Sequence, residues 1–124
     1  MDDFLPMNYV RLEGELDRCR ISEVSGGSYM FKGSVRVPIR YEAEGGHRKV
    51  YYNFFNIIAF GDIALSLSSL GKGSWAAFEG NLEISRYGKR CGHCNGADTT
   101  YWTDVRVSNF VELEKPSLEG EVIV

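Results

Sequence analysis

The sequence predicts a single all-β domain that contains one short helix. Hydrophobic residues recur mostly at every second position, which is the period of a half-buried strand, and glycine-containing turns separate these stretches. Only one segment has the spacing of an amphipathic helix. The chain has 124 residues, of which 44% are hydrophobic and 25% are charged. It is therefore long enough for one core and too short for two ordinary domains.

The first two predicted strands are joined by a tight turn. In the first strand, Val10, Leu12 and Leu16 alternate with charged residues, and the strand continues to Val24. The turn at 25–28 contains two glycines, which permit positive φ. The second strand covers residues 28–41. Because Pro38 has no backbone N–H, we expect an edge, a bulge or a site whose N–H would not be bonded in any case.

A third strand, the helix and two further strands complete the pattern. Residues 49–60 are rich in β-branched and aromatic side chains, as strands are. The helix follows, with Asp62 as the expected N-cap and Gly71 as the expected C′ residue. The last two strands cover 74–87 and 99–113. Five strands with a helix between the third and fourth are the chain order of the OB-fold, so the sequence predicts a five-stranded OB-fold Greek-key barrel.

Charge is distributed unevenly along the chain. The formal net charge is −3, and residues 112–124 contain four Glu and one Lys, which also sum to −3, so residues 1–111 are neutral overall. Net charge therefore does not exclude a nucleic-acid partner. We predict an N-terminal arm over 1–7, the barrel over 8–113 and a short acidic flexible tail over 114–124.

No apolar run is long enough to span a membrane, and the acidic N-terminus does not resemble a secretory signal. The three cysteines are an odd number, which suits a reducing compartment better than a disulfide framework. We therefore predict a cytoplasmic protein without a membrane partner.

Basic residues lie beside aromatic residues at the ends of the predicted strands, in the stretches 40–41, 48–51 and 86–90. An OB-fold that binds a single strand needs aromatic faces on which bases stack and a basic groove that follows the phosphates. The candidate phosphate-binding residues are Lys32, Arg36, Arg40, Arg48, Lys49, Lys72, Arg86, Lys89 and Arg90.

Short stretches in a specific order carry a resemblance to a known family. They are Asn-Tyr-Val at 8–10, Phe-Phe-Asn-Ile-Ile-Ala-Phe-Gly-Asp at 54–62, Leu-Gly-Lys-Gly-Ser at 70–74, Glu-Gly-Asn-Leu at 79–82, Tyr-Trp-Thr-Asp-Val at 101–105 and Phe-Val-Glu-Leu at 110–113. Over roughly residues 8–113 the chain resembles the bacterial and phage single-stranded DNA-binding proteins. The resemblance implies base stacking on Tyr41, Phe54, Phe60 and Tyr87, to which we add Trp102.

The resemblance also implies a function and an assembly. Members of that family bind and protect single-stranded DNA in replication, recombination or repair, without strong sequence preference, as homo-oligomers. The chain departs from the family in the charged outward face of its first strand, which carries Arg11 and Glu13, and in lacking the acidic C-terminal tip. These departures leave the choice between dimer and tetramer open. They favour a phage, plasmid or accessory member.

Cys91-Gly92-His93-Cys94 has the Cys-x-x-Cys spacing of a zinc site. A structural site needs four ligands, so Cys91, Cys94 and His93 would need help from Cys19, His47 or a second subunit. Zinc at this motif is thus a possible but not a required cofactor. A redox role needs the thiols at a helix N-terminus, whereas the motif lies in a predicted hairpin.

No motif of a known catalytic mechanism occurs, so we do not predict an enzyme. The alternative to DNA binding is an OB-fold module that binds proteins of a replication or recombination complex. A zinc- or thiol-dependent protein centred on Cys91 and Cys94 is the third possibility. A DNA-binding protein should bind oligo-dT with an affinity that falls as salt rises, which separates the first possibility from the other two.

Overall fold

The computed structural model of the chain describes residues 7–90, 97–117 and 122–123, with the backbone alone at 85–90, 97–100 and 122–123. In chain order its elements are β1 (Val10–Val24), β2 (Ser28–Glu42), β3 (Arg48–Phe60), α1 (Asp62–Ser68), β4 (Trp75–Arg90), β5 (Ala97–Leu113) and β6 (Val122–Ile123).

The five long strands close into a barrel. Antiparallel pairs join β1 to β2, β2 to β3, β1 to β4 and β4 to β5. A short parallel pairing of β3 with β5, at Ile57 with Val105 and Ile58 with Arg106, completes the ring. With α1 between β3 and β4, this is the topology of the OB-fold, and the predicted fold class is confirmed.

Alternate residues of each strand fill the barrel, as the period of the sequence predicts. Every fully buried large side chain contributes about 1.5–3 kcal/mol relative to an exposed one. The helix α1 packs against β1, β2, β3 and β5 and adds two more buried side chains. The buried cluster consists of Leu16, Phe31, Val35, Ile57, Ala59, Ala64, Leu67, Ala76, Phe78, Val105 and Val107.

A β-bulge bends β1 where it turns around the barrel. Leu16 pairs with Val35 but Arg18 pairs with Ser34, so Asp17 is the extra residue on β1. Leu16 is buried in the core, whereas Arg18 is exposed and lies opposite Ser34. The bulge thereby places two consecutive residues, the acidic Asp17 and the basic Arg18, on the outside of the barrel.

The ends of α1 differ from the sequence-based prediction. Gly61, with φ of 67°, is the N-cap, and Asp62 is instead the first helical residue, where its carboxylate interacts favourably with the helix dipole. At the other end Ser69 is the C-cap, so Gly71 lies one position beyond C′, although its φ of 78° is left-handed as expected. Both differences shift a cap by one residue and leave the helix in place.

Two strand features were not predicted from sequence. The β4–β5 hairpin is longer than expected, with strand pairing up to Arg90 and from Ala97. Within the predicted tail, β6 pairs in parallel with Lys49 and Val50 of β3. The expectation for Pro38 is confirmed, because it pairs only with β3 beyond the point where the β1–β2 pairing ends.

No helix in the described ranges is long and apolar enough to cross a membrane.

Candidate nucleic-acid interface

Three of the predicted stacking rings lie on one outward face of the barrel. Phe54 and Phe60 alternate with the core residue Ile57 along β3, and Trp102 alternates with the core residue Val105 along β5. Since Ile57 and Val105 pair and both point inward, the three rings lie on the opposite, outer side. They are 60%, 38% and 53% exposed, respectively, so each ring has free area on which a base can stack.

Arg36 places a cation next to this aromatic row. It pairs with Phe54 across β2 and β3, and its guanidinium carbon lies 4.0 Å from the centre of the Tyr52 ring. This is a cation–π contact that holds the side chain flat against the sheet. The Nε atom of Arg36 is buried without a hydrogen-bond partner, whereas the guanidinium as a whole is half-buried at the edge of the row.

A second cation–ring contact lies at the end of β3. The Arg106 guanidinium carbon is 4.8 Å from the centre of the Phe60 ring, and its Nη1 donates to Glu83 at 3.5 Å. Arg106 pairs with Ile58, which itself pairs with Lys32 on β2. Lys32 and Arg106 therefore flank β3 from both sides on the face that carries Phe60.

Carboxylates also lie on this face. Asp104 pairs with Glu83 across β5 and β4. Burial raises the pKa of Asp104; Lys32 opposes this rise and Glu83 adds to it. The interface is thus a mixed surface in which acids sit between the cations, and their charge weakens the attraction for phosphate at neutral pH.

Tyr41 lies on the other side of the β2–β3 hairpin. The register of this hairpin is continuous, so odd-numbered Tyr41 and even-numbered Arg36 are on opposite faces. Tyr41 pairs with Lys49 and packs edge-to-face on Tyr51, with 5.7 Å between the ring centres and 62° between the planes. The structure therefore does not place Tyr41 or Lys49 on the face that carries Phe54, and their contacts to DNA stay a prediction.

The remaining predicted cations are spread along the barrel. Arg40 and Arg48 share the face of Arg36 near the end of the β2–β3 hairpin. There they line a shallow pocket with a volume of about 350 Å³. Lys72 follows α1 and lies near Cys19 of β1. Burial, with a contribution from Asp17, raises the pKa of the Cys19 thiol, and the charge of Lys72 partly offsets this rise.

Part of the predicted site lies outside the side chains that the structure describes. For Arg86, Tyr87, Lys89 and Arg90 the backbone alone is described, paired with Tyr101, Thr100, Asp98 and Ala97 of β5, respectively. Cys91, His93 and Cys94 lie outside the described residues altogether. Within the ranges 7–90, 97–117 and 122–123, no three His, Cys, Asp or Glu residues form a group that could hold a metal.

The solved structures similar to this chain include two single-stranded DNA-binding proteins that match it over most of its length. The Plasmodium falciparum SSB, solved in complex with ssDNA, matches with a TM-score of 0.71 and 16% identity over 91% of this chain and 100% of its own. A deletion mutant of the single-stranded DNA binding protein from Thermus aquaticus matches with a TM-score of 0.67 and 22% identity over 87% of this chain. This chain has the fold of these single-stranded DNA-binding proteins. It spans about half, 51%, of the length of the Thermus chain.

No protein-family model matches the sequence, and no curated protein matches it either. The similarity therefore establishes an SSB-like OB-fold, while function has to be argued from the side chains of the outward face.

Arg106 belongs to this face but was not predicted from sequence. It stands alone between Val105 and Val107, away from the basic stretches that suggested phosphate contacts. The available signal was its position in the strand: both valines are buried, so Arg106 must point outward with Trp102. A single basic residue alternating with core residues is easily overlooked because it forms no cluster.

Proposed function

We propose that this protein binds single-stranded DNA without strong sequence preference, by stacking bases on aromatic side chains and holding phosphates with Lys and Arg. The observation that carries the proposal is the outward face of β3 and β5, on which Phe54, Phe60 and Trp102 are exposed beside Arg36 and Arg106. Stacking on such rings is tolerant of sequence because every base has a π-face. The fold shared with SSB proteins supports the same conclusion.

The proposal extends to the residues and processes predicted above. Tyr41 and Tyr87 are further stacking residues, and the predicted cations from Lys32 to Arg90 follow the phosphates. Protection of exposed single strands in replication, recombination or repair is the corresponding cellular role, in a phage, plasmid or accessory context. The binding mechanism uses no cofactor and no catalytic step. Zinc at Cys91, Cys94 and His93 would be detected by metal analysis of protein purified without chelator.

The decisive experiment is a salt-dependent titration with oligo-dT, run beside duplex DNA and RNA of equal length. If about five cations contact phosphates, log K should fall against log salt with a slope of roughly −3.5. Replacing Trp102 by Ala should weaken binding by about 1–3 kcal/mol, or roughly 5- to 150-fold.

Tyr101→Ala is the matched control for Trp102→Ala. The two residues are consecutive and similarly exposed, at 63% and 53%, but point to opposite faces of β5. Undetectable or salt-independent binding of oligo-dT contradicts the proposed function. A loss in Tyr101→Ala as large as that in Trp102→Ala, with the molar mass of the Tyr101 variant unchanged, contradicts the assignment of the binding face to the Trp102 side of the sheet.

We further propose that the protein is a homo-oligomer. Leu82, Ile84 and Tyr101 are 46%, 66% and 63% exposed on the face of the β4–β5 hairpin opposite Trp102. Such a group of apolar side chains is typical of a surface that a second copy covers. We expect Ile84→Arg to lower the molar mass measured by sedimentation equilibrium, and an unchanged mass contradicts this contact.

On the outer face of β1, Arg11 bonds within its own chain, to Glu13 at 2.9 Å and to Glu79 at 2.5 Å, so we propose the contact on the β4–β5 hairpin instead.

A further inference from the structure

A pocket lined by several polar residues lies beside the exposed Phe54 ring. Its volume is about 460 Å³, which is within the range of small-molecule sites and large enough for one nucleobase. The side chains that line it come from the β1 bulge, from β2 and from β3. They are Asp17, Arg18, Lys32, Ser34, Phe54 and Asn56.

The bulge in β1 is what brings opposite charges to this pocket. Because Asp17 is the extra residue, both it and Arg18 reach the outer side, where Arg18 lies opposite Ser34. Ser34 in turn pairs with Asn56 on β3. Residues that carry a carboxylate, a guanidinium and an amide thus line the same small volume, together with Phe54.

The polar groups of the pocket do not bond to one another. In the part of the chain that the structure describes, no hydrogen bond or ion pair joins Asp17, Arg18, Lys32 and Asn56 to one another. Ser34 is only 7% exposed, and its hydroxyl has no hydrogen-bond partner. A buried polar group without a partner gains most from a ligand that supplies one, since it has already lost its contact with water.

We propose that this pocket reads a guanine base stacked on Phe54, which gives the protein a preference for guanine at one position of an otherwise sequence-tolerant site. The inference rests on the proposed single-stranded DNA binding. Guanine presents two adjacent donors, N1–H and the 2-amino group, and these fit the two oxygens of the Asp17 carboxylate, which only accepts. Its O6 and N7 atoms are acceptors, and Arg and Lys are their commonest protein partners, here Arg18 and Lys32.

The other bases fit the pocket less well. Thymine has one ring donor between two acceptors, and cytosine and adenine each offer one exocyclic amine. None of them presents two neighbouring donors to a carboxylate while also presenting two acceptors to cations. With any of these bases, Asp17 or one cation would be left without its full set of contacts, and an unpaired polar group at a contact surface reduces affinity.

The test compares dT oligonucleotides of about 12 nucleotides, one without substitution and the others with a single central dG, dA, dC or deoxyinosine. We expect the dG oligonucleotide to bind at least about fivefold more tightly than the dA, dC or dT ones. Deoxyinosine lacks the 2-amino group and should lose part of that preference. Because the contact is to a base, the ratio between dG and dT should change less with salt than the affinity itself does.

The Asp17→Asn variant assigns the preference to the pocket. It should bind dG and deoxyinosine oligonucleotides equally, whatever the change in its affinity for oligo-dT. Glu23→Gln is the matched control, since it makes the same change in charge on an exposed residue of β1 that pairs with Tyr29, outside the pocket. It should retain the preference for dG.

The outcomes separate this inference from the proposed function. Salt-dependent binding of oligo-dT with equal affinity for all substituted oligonucleotides overturns the guanine pocket alone. A preference for another base, or a dG preference that Asp17→Asn leaves intact, also overturns it. Absence of binding to every oligonucleotide overturns the proposed function together with the inference. The deoxyinosine comparison uses the unaltered protein, so it decides the question even if the variant fails to fold.

Discussion

Replacing Gly80 by Ala should strongly destabilise the barrel. A Cβ atom at Gly80 would lie 1.8 Å from the backbone oxygen of Arg106, where ordinary contact begins at 3.4 Å. The strands would have to separate by about 1.6 Å, the difference between these distances, because the obstacle is backbone and cannot rotate away. Such a shift disrupts the ladder at the Gly80–Val107 and Asn81–Arg106 pairs. Two lost hydrogen bonds at about 1 kcal/mol each, with looser packing of Val107 in the buried cluster, give a loss of about 2–4 kcal/mol.

The measurement is urea unfolding followed by circular dichroism, with the free energy of unfolding taken from the midpoint and slope. Gly27→Ala is the control. Gly27 has φ of 75° at the tip of the β1–β2 turn, and a Cβ there would meet nothing within 4 Å, so only backbone strain of about 1–2 kcal/mol is expected. A loss for Gly80→Ala no larger than that for Gly27→Ala would refute the argument from strand separation.

Two further predictions concern the outward face. Arg106→Gln removes the cation above Phe60 and should weaken binding to oligo-dT about three- to fivefold. The salt dependence of binding should also decrease if Arg106 contacts phosphate. An unchanged titration contradicts the place of Arg106 in the interface. Asp104→Asn should strengthen binding at neutral pH by removing a carboxylate near Lys32. Because burial raises the pKa of Asp104, its charged form destabilises the fold, so the Asn variant should also be more stable at pH 7, and this advantage should disappear below the ordinary aspartate pKa of about 3.9. Thermal melts from pH 3 to 8 measure the difference in stability between the Asn variant and the unaltered protein. A difference that persists at pH 3 contradicts a raised pKa of Asp104.

The strands were predictable because alternation is a local property. Leu16 lies in the core on the face that its alternation with charged residues indicates, whereas both faces of β3 carry apolar side chains, so the sequence alone did not identify Ile57 as an inward residue. The two-residue strand β6 was not predictable, since its pairing depends on a free edge of β3 that exists only in the folded barrel. Likewise the caps of α1 moved by one residue because Gly61 adopts a positive φ that no local pattern requires.

The candidate site was harder to predict, because neighbours in a strand sequence are not neighbours in space. Arg40 and Tyr41 are consecutive and looked like a cation beside a ring, but consecutive residues of a strand point to opposite faces. The cation–ring contacts that do form connect different strands, such as Arg36 on β2 with Tyr52 on β3. Their partners are set by register, which depends on the turn lengths and on the bulge at Asp17 rather than on composition.

The distribution of charge bears on how an acidic protein can bind a polyanion. The protein carries a net charge of −3, so long-range attraction is weak and cannot by itself bring DNA to the barrel. Some acids lie away from the interface and are neutralised, since Arg11 pairs with both Glu13 and Glu79. Others, such as Asp104, lie within the interface. Attraction for phosphate is therefore limited to direct contacts with Lys and Arg, and its contribution falls steadily as salt rises. Stacking supplies the binding free energy that remains at high salt, so a measurable affinity for oligo-dT should persist there.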